Sequence, residues 1–208
     1  MKIKFCGLRR PEDIAAVNEL KPDFAGFILA KGFKRMITYE KAEELGRAVD
    51  PGIKKVGVFV NDDTETVADL VNKGIIDLPQ LHGDEDEEYI AKLRTLCEAQ
   101  IIKAFKIRTA EDVSMAEASS ADHILLDAGT GEGKTFEWQL IKELKRPYIL
   151  AGGLGPDNIA QALSTLHPWG VDVSSGIETN GYKDPEKMKE FINGLLPHRG
   201  EGACEAGG

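Results

Sequence analysis

The stretch PYILAGGLGPDNIAQALSTLHPWGVDVSSG, residues 147–176, decides the fold of this 208-residue chain. It contains a short apolar run (147–151), a glycine-rich turn, a helix-like segment after Pro156, and a second apolar run (170–175). Apolar runs without polar alternation are typical of parallel strands buried on both faces, and parallel strands need a crossover, usually a helix. The stretch therefore predicts a β–α–β unit.

The same unit recurs along the whole chain. The strand candidates lie at residues 2–6, 24–29, 54–60, 77–82, 100–106, 122–127, 147–151 and 170–175. Helix-like segments separate them, and several begin at cap-like residues such as Pro11, Asp63 or Thr64, and Pro156. The segment RTAEDVSMAEA, after the fifth strand, has the weakest helical pattern.

Eight strand–helix units predict an α/β protein, a single-domain (β/α)8 TIM barrel over residues 1–196. An open doubly wound sheet is the alternative, because periodicity alone does not distinguish the two. The first strand is followed by CGLRRP rather than GxGxxG, which disfavours a dinucleotide-binding sheet. Polar or glycine residues repeatedly follow the strand ends, where a barrel places its chemistry.

The composition excludes several classes of partner. A net charge of −9 argues against nucleic acid, and no apolar run approaches the roughly 18 residues that cross a bilayer. We expect no signal peptide at the N-terminus. Cys6, Cys97 and Cys204 form no CxxC pair, which fits a reducing cytoplasm and no structural zinc. The glycine-rich residues 197–208 predict a disordered tail.

The loops after strands seven and eight predict a phosphate site. One loop carries Gly152 and Gly153, and the other carries Ser174, Ser175 and Gly176. In TIM barrels these two loops frequently bind phosphate through backbone NH groups and a short helix. Tight turns alone would also explain the glycines, but two matched loops favour a phosphorylated small-molecule substrate.

Candidate acid–base residues stand at strand ends. Cys6 ends strand one beside Arg9 and Arg10, and a thiolate near cations has a lowered pKa and acts as a base or nucleophile. Asp127 follows apolar residues, and burial raises a carboxyl pKa toward that of a general acid. Cys6 could instead be a small buried hydrophobe, and Asp127 a turn residue. His82 is a competing acid–base candidate or a structural residue.

Six motifs in order resemble the phosphoribosylanthranilate isomerase family. They are KFCGLRRPED (4–13), GVFVN (57–61), QLHGDE (80–85), LLDAGTGEGKTFEW (125–138), ILAGGLGPDNI (149–159) and GVDVSSGIE (170–178). The resemblance implies a TIM barrel of tryptophan biosynthesis that needs no cofactor and no metal. It implies an Amadori rearrangement of N-(5′-phosphoribosyl)anthranilate to 1-(2-carboxyphenylamino)-1-deoxyribulose 5-phosphate.

The resemblance also implies residue roles. Asp127 would protonate the furanose ring oxygen, and Cys6 would remove the proton from ribose C2′. Arg35 would bind the anthranilate carboxylate, although the loop reads AKGFKRMIT here and Lys34 could share the role. Asp172 would contact the anthranilate amine, and the two glycine loops would surround the 5′-phosphate. We expect the protein to be a monomer or a homodimer.

Four alternatives stay open at this point. An indole-glycerol-phosphate synthase needs a catalytic lysine, for which Lys103 and Lys106 are the nearest candidates, and an epimerase needs more histidines than His82. The histidine-pathway Amadori isomerase usually has aspartate where this chain has Cys6. A non-catalytic phosphate-binding barrel would have no reason to retain both Cys6 and Asp127.

Overall fold

The computed structural model of the protein describes residues 1–127, 136–142 and 144–196. Within them, eight parallel strands form a closed barrel in chain order, and the first strand pairs with the eighth. The strands are Lys2–Cys6 (β1), Phe24–Ile28 (β2), Lys54–Phe59 (β3), Leu78–Leu81 (β4), Ile102–Lys106 (β5), His123–Asp127 (β6), Tyr148–Ala151 (β7) and Gly170–Val173 (β8). The predicted TIM barrel is confirmed, and the open sheet is excluded.

Helices follow the strands in the described residues and cover the outside of the barrel. They are Pro11–Leu20 (α1), Tyr39–Gly46 (α2), Thr64–Asn72 (α3), Glu87–Leu96 (α4), Ala110–Ala118 (α5), Phe136–Ile141 (α6), Ile159–Thr165 (α7) and Pro185–Leu195 (α8). The weakly patterned α5 forms because Thr109 and Asp112 make a reciprocal capping box at its N-terminus. Asp63 caps α3 by accepting a hydrogen bond from the Thr66 NH group.

Strand alternation divides the core into two layers. Outward side chains such as Phe5 pack on the helices, where Phe5 meets Phe191 of α8 edge to face. Inward side chains fill the barrel with one apolar cluster, made of Phe24, Val56, Leu78, Ile102, Ala104, Leu125, Ile149 and Ala151. Among the described residues, the polar side chains of Lys4, Gln80 and Asp172 are also buried inside the barrel. They lie on strand positions that point inward, toward the site.

The connection from β8 to α8 contains structure that the sequence analysis did not predict. A 3₁₀ turn at Ser175–Ile177 leads into a two-stranded hairpin, Glu178–Thr179 (β9) with Tyr182–Lys183 (β10). Asn180 and Gly181, at the hairpin tip, both have positive φ angles, of 53° and 78°. Asn-Gly is the preferred pair for such a turn, so the sequence did carry a usable signal.

Two predictions fall partly or wholly outside the described residues. These are the disordered tail at 197–208 and the part of the LLDAGTGEGKTFEW motif at 128–135. The domain boundary at residue 196 therefore stays a prediction. None of the described helices is long and apolar enough to cross a membrane.

Candidate active site

A cavity of about 300 Å³ opens among the carboxyl ends of the strands. Nine of the ten residues predicted for the site line it, namely Cys6, Arg35, His82, Asp127, Gly152, Gly153, Asp172, Ser174 and Ser175. They come from strands that are distant in the chain and meet only because the barrel closes. The cavity is therefore one site, with apolar, acid–base and glycine-rich walls.

Gly176 is the exception, because it lies between the two glycine loops rather than on the cavity wall. A Cβ atom at this position would stand 2.0 Å from the Leu154 carbonyl oxygen and 2.8 Å from the Gly155 Cα. No side chain fits in that space. Gly176 thus lets the loops after β7 and β8 pack directly on each other.

Gly152 and Gly153 turn the chain sharply after β7, with φ angles of 95° and 63°. Residues with side chains adopt this left-handed region only at a cost, which explains the glycines. At the end of β8, the Ser174 hydroxyl donates to the Cys6 carbonyl oxygen of the neighbouring β1 over 3.1 Å. Ser175, which lines the cavity, follows it in the β8 loop. The two loops form the glycine-rich end of the cavity.

Cys6 ends β1 with its side chain 5% exposed. Burial raises the pKa of the Cys6 thiol, while the ammonium groups of Lys4 and Lys183 lower it less strongly, and the net pKa is above the ordinary value. The predicted lowering is therefore wrong. A thiolate in this position forms most readily at alkaline pH.

Arg9 and Arg10 do not act on Cys6 as the sequence analysis expected. The Arg10 guanidinium forms an ion pair with Asp13 over 2.7 Å, and the Arg9 guanidinium stacks over the Tyr182 ring and donates to the Gly181 carbonyl oxygen. Both arginines thereby attach the β9–β10 hairpin to the start of α1. Their role here is structural because the chain turns after Cys6 and carries them away from the thiol.

Asp127 stands at the end of β6, about a quarter exposed, and its Oδ2 lies 3.6 Å from His82 Nε2. The other ring nitrogen of His82, Nδ1, is 2.9 Å from the Gln80 side-chain nitrogen. Gln80 is buried inside the barrel. It therefore fixes the orientation of the imidazole, which faces the carboxylate across the cavity. Gln80 is not among the residues that the sequence predicted for the site.

Arg35 extends from the loop after β2 and is held by a carboxylate of the chain. Its Nε and Nη2 donate to the two oxygens of Glu178 over 2.6 and 2.8 Å. The buried Lys183 ammonium binds the same carboxylate over 2.8 Å. Among the described residues, Arg35 Nη1 donates to no acceptor of the protein, so this edge of the guanidinium is available. Gly7 allows the approach, since its Cβ would stand 2.8 Å from Arg35 Cδ.

The cavity wall near Arg35 is apolar. It is built from Ile28, Ala30 and Val58, and Phe33 adds an aromatic ring that is 51% exposed. An exposed phenylalanine beside a guanidinium forms a surface for a flat anionic ring. This end of the cavity differs from the glycine-rich end in polarity and shape.

Asp172 and Lys4 form an ion pair inside the barrel, with the Lys4 ammonium 3.0 Å from Asp172 Oδ1. Asp172 lines the cavity as predicted, whereas Lys4 lies beneath the thiol and was missed. The alternation of β1 places Lys4 on the same inward face as Cys6. The two-residue alternation of β1 was therefore the sequence signal for an inward Lys4. Lysine is so often exposed, however, that the sequence alone does not favour its burial.

The rival lysine chemistry finds no support in the geometry. The Lys103 ammonium is buried away from the cavity and binds the Gly83 carbonyl oxygen and Glu85 Oε2 over 2.8 and 3.0 Å. Lys103 and Lys106 line a neighbouring depression between the loops after β4 and β5, which shares only His82 with the cavity. The described residues also contain no group of three His, Cys, Asp or Glu side chains arranged to hold a metal ion.

Comparison with known proteins agrees with the motifs. The family model described as N-(5′-phosphoribosyl)anthranilate (PRA) isomerase matches residues 3–194. The N-(5′-phosphoribosyl)anthranilate isomerase of Clostridium acetobutylicum is 46% identical over 201 residues, covering 92% of this chain and 96% of that protein.

Two solved structures share the fold closely. Phosphoribosylanthranilate isomerase in complex with reduced 1-(o-carboxyphenylamino)-1-deoxyribulose 5-phosphate superposes with a TM-score of 0.83 at 33% identity, covering 93% of this chain and 97% of that one. Monomers generated from the dimeric enzyme of Thermotoga maritima give 0.82 at 33% identity, with the same coverage. On this evidence the chain belongs to the N-(5′-phosphoribosyl)anthranilate isomerase family.

Proposed function

We propose that this chain converts N-(5′-phosphoribosyl)anthranilate to 1-(2-carboxyphenylamino)-1-deoxyribulose 5-phosphate, the Amadori rearrangement of tryptophan biosynthesis. The observation that carries the proposal is the single cavity, which combines a carboxyl group, a thiol, a guanidinium with an apolar wall, and two glycine loops. Each part of the substrate has a chemically matched wall. The proposed reaction uses no cofactor and no metal.

The polarity of the cavity orients the substrate. The 5′-phosphate binds the backbone NH groups of the loops that carry Gly152, Gly153 and Ser175, because closely approaching backbone dipoles favour an anion. The anthranilate carboxylate binds Arg35, and its ring packs against Phe33. Ribose then spans the middle of the cavity, between the ends of β1 and β6.

The chemistry follows from this placement. Asp127 donates a proton to the furanose ring oxygen, the bond from C1′ to that oxygen breaks, and the anthranilate nitrogen lone pair completes a C1′ iminium. The Cys6 thiolate then takes the proton from C2′, and the electron pair of that bond moves to form the enolamine. The enolamine then becomes the ketone as its C2′ hydroxyl loses a proton and C1′ gains one. Asp172 accepts the hydrogen bond of the anthranilate amine, and His82 orients Asp127.

The partner of the protein is thus a phosphorylated small molecule. The protein acts as a monomer or as a homodimer, like the dimeric Thermotoga maritima relative, and sedimentation distinguishes the two. A cytoplasmic location is part of the proposal because Cys6 must stay a free thiol, which a reducing compartment maintains. Cys6 and Cys97 are both free.

The test is fluorescence-monitored turnover of phosphoribosylanthranilate by the purified protein. Asp127→Asn and Cys6→Ser should each lower kcat by roughly 10²–10⁴-fold, the usual contribution of a general acid or base. Cys97→Ser, at a buried thiol outside the cavity, and Asp69→Asn, on the surface of α3, are the matched controls. Full activity in either site variant would refute the assigned role. Turnover of only the histidine-pathway substrate would refute the proposed reaction.

A further inference from the structure

Lys4 is an ammonium group enclosed within the barrel. Its side chain is 1% exposed, and its nearest carboxylate is Asp172, at 3.0 Å. Burying a charge is costly unless it is paired, and apolar residues of similar size often serve a barrel core as well. The proposed reaction uses Cys6 and Asp172 directly but gives Lys4 no contact with substrate. The burial of this charge therefore requires an explanation.

The Lys4 ammonium lies next to the Cys6 thiol. Gly26 of β2 stands opposite Cys6 in the sheet register. A Cβ atom on Gly26 would be 3.0 Å from Cys6 Sγ and 3.1 Å from Lys4 Nζ. The missing side chain of Gly26 thus leaves room for both groups at the same point. The barrel brings a permanent cation next to the proposed base.

Lys4 and Cys6 each shift the pKa of the other toward its charged form. Burial alone lowers the pKa of Lys4, but Asp172 and Cys6 outweigh it and the net pKa is raised, so the group stays an ammonium. Burial raises the pKa of Cys6, and Lys4 is the strongest influence that opposes this. The charged groups that act on the thiol are Lys4, Asp172, Lys183 and Arg35. Lys183 and Arg35 are both bound to Glu178.

We propose that Lys4 is a positioning residue for the reaction: its fixed ammonium is the counter-ion of the Cys6 thiolate, and Asp172 holds that ammonium in place. The inference rests on the proposed role of Cys6 as the base. When the thiol loses its proton, the charge forms beside an existing cation and needs no rearrangement of solvent. The enclosed Lys4–Asp172 pair therefore serves the ionisation of Cys6 and is more than a core contact.

The test titrates Cys6 in the free enzyme. Thiolate absorbance near 240 nm is recorded against pH and corrected with the matching Cys6→Ser protein, while the pH dependence of iodoacetamide alkylation gives a second measurement. In Lys4→Met, the midpoint should move at least about one pH unit higher, which is the effect typical of removing an adjacent opposite charge. At neutral pH, kcat/KM should fall by roughly tenfold for each pH unit of that shift, because the thiolate fraction falls by the same factor. An unchanged midpoint in the folded variant would overturn the proposal.

Lys4→Met leaves Asp172 without its ion-pair partner. A second pair of variants therefore tests the proposal if Lys4→Met does not fold. Asp172→Asn and the double variant Lys4→Met/Asp172→Asn differ only in the Lys4 charge. The double variant should titrate at higher pH than Asp172→Asn, and coincident midpoints would refute the counter-ion role. The titration uses no substrate, so it is independent of turnover. A fully active Cys6→Ser enzyme would refute the base instead.

Discussion

Glu178→Gln should destabilise the protein by an amount that depends on pH. In the structure this carboxylate binds Arg35 through two hydrogen bonds and Lys183 through a third, and its side chain is 8% exposed. The substitution keeps the shape of the side chain and removes its charge. Two cations at the cavity edge, one of them buried, then lack their shared counter-ion.

The magnitude follows from the pKa of this carboxyl. Burial alone would raise the pKa of Glu178, but the hydrogen bonds from Arg35 and Lys183 hold it at about 2, against 4.5 ordinarily. That difference corresponds to about 3 kcal/mol at neutral pH. For a chain of this size, a loss of about 3 kcal/mol lowers Tm by roughly 6–12 °C. Because the folded-state pKa is depressed, the stabilisation is present above about pH 4.5 and declines as the pH falls toward 2.

Urea unfolding at several pH values measures this effect. The difference in unfolding free energy between the wild-type protein and Glu178→Gln should be constant from pH 7 to 5 and shrink below pH 4.5. Glu44→Gln is the control, because that carboxylate is 62% exposed and pairs with Lys41 on the surface of α2. A loss that is equal at all pH values, or equal in both variants, would refute the reasoning. KM should also rise in Glu178→Gln, since Arg35 loses its support.

Three further predictions concern the cavity and the loops around it. Phe33→Ala should raise KM by roughly tenfold with little change in kcat, because the ring covers apolar surface of the substrate. Phe33→Tyr keeps the ring and should have a KM near that of the wild-type protein. Steady-state kinetics measure both constants. Gly176→Ala should lower the free energy of unfolding by about 1–3 kcal/mol or more, because its Cβ would clash with the Leu154 carbonyl oxygen. Gly52→Ala is the control and should be tolerated, and thermal unfolding compares the two variants. Finally, iodoacetamide alkylation of Cys6 should increase with pH above neutrality, because burial raises the pKa of Cys6 and only its thiolate reacts; a flat profile would contradict this.

The sequence predicted the strands and several helix N-caps, because these depend on local residue patterns. The strand ends lie within two residues of the predicted positions, because buried parallel strands require continuous apolar runs that stand out between amphipathic helices. Arg9 and Arg10 show that nearness in sequence does not determine contact in the fold. They are near Cys6 in sequence, yet the turn after β1 directs them to the β9–β10 hairpin.

The order of strands, the strand-end residues and the six motifs determined, without coordinates, that the chain is a TIM barrel with Cys6 and Asp127 at its mouth. Only the tertiary structure decided the electrostatics of the site. It placed Lys4 under the thiol, bound Arg35 to Glu178, and removed Gly176 from the cavity wall. The physical reason is that strand periodicity is a local property of the backbone. By contrast, the pKa of a thiol and the partner of a guanidinium depend on burial and on charges that barrel closure brings together from distant residues.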